Sequence, residues 1–230
     1  MDRSSEGHTY QRYDGELNHL HYLVLEMGGL VLYQVRAALT ALKAHDIALA
    51  QKVLARDREI DRLESKADGE ISTVIARRAP VANDLRLVMA VSKSVSELER
   101  IGDEAVKIAS LVSLASADET SDSRSRLACD VQRLGAMALT TLENAVEVFD
   151  VWSDPKARRV IENYRDMEKA FESILRRLMT RGLDDSRHLR SAVSLVLVIK
   201  ALERIGHHAQ NLAKCVILQV KGEYPRQQPP

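Results

Sequence analysis

"LERIGDEAVKIA" occupies Leu98–Ala109, and "LERIGHHAQNLA" occupies Leu202–Ala213. Each copy lies in an apolar run of helical period, and each carries a glycine in mid-helix, Gly102 and Gly206. A glycine there costs about 1 kcal/mol relative to alanine. Its recurrence at the same place marks two sites where another helix comes close. The flanks repeat too, "DLRLVMAVSKSVSELERIG" against "HLRSAVSLVLVIKALERIG". An internal duplication accounts for this.

Working outward, six helices are read from the period of the apolar positions. The first covers about Glu16–Ala44, with Gly28 and Gly29 in its middle. The second runs from the N-cap Asp46 to Arg78 and ends before Pro80. The third covers about Ala82–Ala115. "SADETSDS", Ser116–Ser123, is the linker. The fourth helix ends near Trp152. The fifth spans about Lys156–Arg181, with Pro155 at its start and Gly182 as C-cap. The sixth runs from about His188 to Val220. The fold class expected is all-α, two tandem pseudo-symmetric three-helix bundles over residues 16–115 and 123–220, with a loose tail at 221–230.

Composition agrees with helices. The chain has 230 residues, 45% hydrophobic but only 4% aromatic. Lys plus Arg and Asp plus Glu are both 33, so the net charge is zero. A dedicated nucleic-acid binder carries a basic excess, so no nucleic-acid partner is expected. Cys129 and Cys215 form no zinc spacing and read as reduced thiols. The N-terminus shows no secretory h-region. The most apolar run, Ser191–Leu202, is short for a bilayer and contains Lys200. A cytoplasmic protein is expected, with membrane contact only peripheral.

The chemistry lies beside the apolar stripes. In the third helix Val88, Val91, Val95, Leu98, Ala105, Ile108 and Val112 form the stripe, and Glu99 and Asp103 flank it four residues apart. In the second helix Ile60, Leu63, Ala67, Ile71 and Val74 form the stripe. Asp57, Asp61, Glu64 and Asp68 make an acidic row beside it. Like charges at such spacing oppose one another unless a cation joins them. Hard oxygen donors suit Mg, Mn or Fe. In the second half Glu203 is kept, but His207 stands where Asp103 stood. Aligning the apolar patterns sets Met167 with Ile60, Glu168 with Asp61 and Tyr164 with Asp57. Glu203 and His207 together suit a more borderline ion such as Zn or Ni.

With "MGGLV", "DREID" and "DLRLVMAVSK" added to the repeated "LERIG", the chain resembles the PhoU family of bacterial phosphate-signalling regulators from about Glu16 to Gly222. The resemblance implies metal clusters on the bundle surface. By match the ligands are Asp57, Asp61, Glu99 and Asp103 in the first half, and Glu168, Glu203 and His207 in the second. It also implies a non-enzymatic negative regulator of the phosphate-starvation response. Such a protein couples the ATPase subunit of a phosphate ABC transporter to a phosphate-sensing histidine kinase, and it commonly forms a homodimer. The runner-up is a ferritin-like di-metal carboxylate enzyme. That chemistry uses Glu-x-x-His pairs inside a four-helix core, whereas the acids here flank the stripe and the spacing is Glu-x-x-x-His.

Overall fold

The structure, a computed structural model, describes residues 3–113, 122–181 and 189–225. Among them are six helices and no strand: α1 (Arg3–Ala44), α2 (Ile47–Arg78), α3 (Ala82–Leu111), α4 (Asp122–Val151), α5 (Asp154–Arg181) and α6 (Leu189–Lys221). Asp46 caps α2, its Oδ1 accepting from the Leu49 amide at 2.9 Å. Residues 116–121 of the expected linker, Gly182 and residues 226–230 of the tail lie outside the described residues.

Four boundaries differ from the sequence reading, one of them the end of α3, which stops at Leu111 with Val112 and Ser113 in a turn and not near Ala115. The first helix reaches back to Arg3, because nothing before Glu16 breaks a helix and its period only becomes legible once apolar residues begin. The fourth takes in Asp122 and Ser123, which had been assigned to the linker. The fifth starts at Asp154, since Pro155 in the first turn needs no amide partner. Among the described residues one helix is long and apolar enough to cross a membrane, and it lies outside Ser191–Leu202. By length and composition it is Arg12–Ala44, half of whose most apolar window is buried inside the bundle.

α1, α2 and α3 pack on one another, and α4, α5 and α6 do the same. The halves meet through α3 against α6 and α1 against α4. α3 and α6, and α1 and α4, thus meet as equivalents across the join, the pattern of a pseudo-twofold axis, with α2 and α5 on the outside. One continuous core results, with Leu98, Ile101, Ala105 and Ile108 facing the same interior as Leu202, Ile205, Ala209 and Leu212, all without solvent exposure.

The axis is legible in single contacts. A Cβ on Gly28 of α1 would lie 3.1 and 3.2 Å from the two methyls of Val146 on α4. A Cβ on Gly135 of α4 would lie 2.8 Å from Leu39 of α1. The two contacts are each other's equivalents, displaced along the chain by the same interval. His45 and Trp152, at that interval again, end α1 and α4 in the left-handed conformation.

Across α3 and α6 the polar contacts break the symmetry. Arg204 Nη1 donates to Glu104 at 3.0 Å, and Lys107 donates to the same oxygen at 2.9 Å. The equivalent of Glu104 is His208, which does not meet Arg100. Instead His208 Nδ1 lies 2.7 Å from Glu97 Oε2, and Asn211 donates to that oxygen at 3.2 Å. Burial raises the Glu97 carboxyl, but the hydrogen bonds from His208 and Asn211, with the charges of His208 and Arg100, prevail and hold it below its ordinary range. Lys214, buried, donates to Gln210 and Asn211 at 2.8 and 3.0 Å.

Gly28 and Gly29 give opposite expectations. Val146 is β-branched and cannot turn aside, so Gly28→Ala should lose about 1–2 kcal/mol by overpacking. Nothing approaches within 4 Å of a Cβ on Gly29, so Gly29→Ala should gain up to about 1 kcal/mol of helix propensity. Chemical denaturation of the two variants checks the signs. A second expectation concerns the clamp between α1 and α2. Arg78 Nε and Nη2 donate to the two carboxylate oxygens of Glu16, both at 2.8 Å. The hydrogen bond to Arg78 outweighs burial and holds the Glu16 carboxyl below its ordinary value. A depressed carboxyl pKa contributes stability above the unfolded-state value and loses it as pH falls through the folded-state value. Glu16→Gln should therefore melt earlier than the wild type near pH 7, and the difference should close as melts are taken down to about pH 3.

Candidate metal centre

The acidic groove is made where α2 crosses α3. A Cβ on Gly102 would lie 3.0 Å from Ile60 Cδ1 and 3.7 Å from Asp57 Oδ1. The missing side chain lets α2 settle onto α3 with Asp57 at the crossing. Asp57, Glu64 and Glu99 are half-buried along this seam, while Asp61, Asp68 and Asp103 are exposed beside it.

Their electrostatics are mutual. Burial, then Asp61 and Asp103, push the Asp57 carboxyl above its ordinary range. Burial, then Asp68, Asp61 and Asp103, do the same to Glu64. Glu99 is raised by burial, then by Asp103 and Glu64, with Arg100 opposing. Among the described residues none of the six acids forms an ion pair with lysine or arginine. The one close donor is neutral: Gln34 of α1, almost fully buried, donates from Nε2 to Asp57 Oδ1 at 3.2 Å.

The structure thus brings together the four first-half residues expected from sequence, Asp57, Asp61, Glu99 and Asp103, and adds Glu64 to them. As the side chains stand, no three His, Cys, Asp or Glu among the described residues converge closely enough to enclose an ion. The donor chemistry nevertheless fits a hard cation: oxygen donors only, from two helices, carrying repulsion that a cation would relieve. Gln34 was missed in the sequence. Its signal was a lone polar residue between Val31 and Val35 on the apolar face of α1.

The second half is built alike but lined differently. A Cβ on Gly206 would lie 2.5 Å from Met167 Sδ and 3.1 Å from the Tyr164 ring. This is the crossing of α5 and α6, and it pairs Met167 with Ile60 and Tyr164 with Asp57, as the apolar pattern had aligned them. Glu168 is exposed. Glu203 accepts from Lys200 Nζ at 3.1 Å. The His207 ring stands 6.2 Å from that of Tyr164, centre to centre.

A sequence model of the PhoU domain matches residues 24–112 and, a second time, residues 131–216. The chain belongs to the PhoU family. A Pseudomonas putida relative named "phosphate-specific transport system accessory protein PhoU homolog" is 36% identical over 94% of this chain and 83% of its own. The Escherichia coli K12 phosphate-specific transport system accessory protein PhoU is 32% identical over 94% of this chain and 88% of its own. The crystal structure of PhoU from Pseudomonas aeruginosa superposes with a TM-score of 0.84 at 33% identity, covering 92% of this chain and 100% of that one. A Streptococcus pneumoniae PhoU structure has the same TM-score at 22% identity and supports the fold alone. The family's repeated domain thus falls on the two bundles.

Equivalent acids in the two halves should answer oppositely to neutralisation. Glu99→Gln removes a charge held among like charges and should stabilise a metal-free sample by about 0.5 kcal/mol. Glu203→Gln removes the partner of Lys200 and should destabilise by a similar amount, about 0.5 kcal/mol. Thermal melts in chelator near pH 7 check both.

Proposed function

We propose that this chain is a non-enzymatic accessory regulator of phosphate transport that holds the phosphate-starvation response off when phosphate is plentiful. The observation that carries this reading is the extent of the likeness. Relatives bearing the phosphate-transport accessory name match at 36% identity across 94% of the chain. The partners proposed are the ATPase subunit of a phosphate ABC transporter and a phosphate-sensing histidine kinase, met at the cytoplasmic face by a homodimer. The ferritin-like alternative is not favoured by the geometry, because the acids flank the core and the interior between helices is filled by Leu, Ile, Val and Ala.

The first-half groove is proposed to hold a divalent or trivalent cation such as Mg, Mn or Fe. Asp57, Asp61, Glu99 and Asp103 would hold it, with Glu64 adjoining. Bound there, the ion supplies positive charge that ties α2 to α3. What the chain itself contributes is placement. Gly102 sets the depth of the crossing, and Gln34 fixes the Asp57 carboxylate through a neutral donor, so that the charge of Asp57 stays available.

Deletion of the gene should raise phosphate-starvation transcripts and phosphate uptake in phosphate-rich medium, read by reporter fusion and by uptake of labelled phosphate. The wild-type chain supplied in trans should restore repression. Unchanged transcripts in the deletion strain would sink the regulator reading.

A further inference from the structure

The second-half crossing is where the duplication has been rewritten. Gly102 against Ile60 and Asp57, and Gly206 against Met167 and Tyr164, fix how α2 aligns with α5 and α3 with α6. Carried along α2 and α5, the alignment sets Tyr164 in place of Asp57 and Glu168 in place of Asp61. It sets Phe171 in place of Glu64 and Leu175 in place of Asp68. Along α3 and α6, Glu203 replaces Glu99, His207 replaces Asp103, and Lys200 stands where the first half has Ser96. The carboxylate row is reduced to Glu168 and Glu203, and a lysine has entered.

What replaced the acids closes the groove. Tyr164 and Phe171 are buried, with 4% and 8% of their surface exposed. Burial, then the nearby carboxylates of Glu203 and Glu168, raise the Tyr164 hydroxyl above its ordinary range, so it stays a neutral phenol beside them. Lys200 Nζ lies 4.8 Å above the Phe171 ring while donating to Glu203 at 3.1 Å. Glu203 thus already has a cation of the chain's own. His208 and the buried Lys214 stand near enough to His207 to oppose a further positive charge, with Glu203 and Glu97 acting against them. The buried amide has gone as well. Thr141 occupies the place of Gln34, and its hydroxyl donates instead to the Met137 carbonyl at 2.8 Å.

We infer that the chain takes up cations in its first half alone, and that the second-half crossing is a metal-free contact, neutralised by Lys200 and closed by Tyr164. The family's two-sided arrangement does not fit these residues, and neither does a zinc or nickel ion on Glu203 and His207. The inference rests on the reading of the first-half groove given under the proposed function.

The test is titration of the full-length chain with Mn2+, bound ion counted by electron paramagnetic resonance, in three proteins: wild type, Asp61→Asn/Asp103→Asn and Glu203→Gln/His207→Gln. Circular dichroism melts establish that each is folded. The first-half pair should weaken Mn2+ by about tenfold or more, and the second-half pair should stay within about twofold of wild type. Retention by the first-half pair with loss in the second-half pair overturns the inference. So does a halved stoichiometry in each. A Zn2+ titration of the first-half pair adds an arm: binding that His207→Gln abolishes overturns the inference while leaving the first-half reading intact. A folded wild type that binds no Mn2+, Fe2+ or Mg2+ overturns the first-half reading itself, and this inference with it.

Discussion

Where α3 runs antiparallel to α6, side chains with no solvent exposure alternate with charges that have nowhere else to go. Leu98, Ile101, Leu202 and Ile205 seal the contact. Glu97 and Glu104 sit within it, reached from α6 by His208, Asn211 and Arg204. Each carboxylate has a second donor, Lys107 for Glu104 and Asn211 beside His208 for Glu97, so the set holds even where one partner is half exposed. The apolar part supplies affinity between the halves. The charged part fixes their register, because sliding one helix by a turn would separate every pair at once. The other four helices are hung on this contact, α1 and α2 on α3's side and α4 and α5 on α6's.

Register matters because the groove is a crossing of helices. Its depth is set where glycine removes a side chain: Ile60 rests on Gly102, and Met167 rests on Gly206. The acids of α2 and α3 meet only because that approach is close, and their raised carboxyl pKa values are the electrostatic trace of it. The same backbone geometry with Tyr164 and Lys200 gives a contact with no charge to relieve. Architecture and site chemistry are therefore separable in this protein, as expected where function is grafted onto a fold.

Much of this could be read from residues alone, for identifiable reasons. The duplication, the helix count and the two stripes follow from a period of 3.6 sustained over long helices, which is the strongest signal a sequence offers. The glycines announced the crossings because a mid-helix glycine needs a reason. Helix ends were less legible. The start of α1 lies in a polar stretch with neither period nor breaker, and the linker's last residues were already helical. Gln34 and Glu97 escaped notice because each is one polar residue on an otherwise apolar face, and what it meets lies on another helix. The replacement of Glu64 by Phe171 follows from the same apolar alignment carried one turn further, and the contacts at Gly206 bear that alignment out.

The unequal charges at the α3–α6 contact make the halves non-interchangeable. If a first half faced a copy of itself in the same way, Glu104 would meet Arg100 on both sides of the axis, but Glu97 would there meet Glu104 in the place of His208. If a second half did so, Arg204 would meet His208 twice, with no carboxylate at Ala201 to take the place of Glu97. Neither repeat could face a copy of itself without a conflict of charge, because Glu97 draws its partners from His208 and Asn211 and Glu104 draws one of its own from Arg204, so each half completes the other.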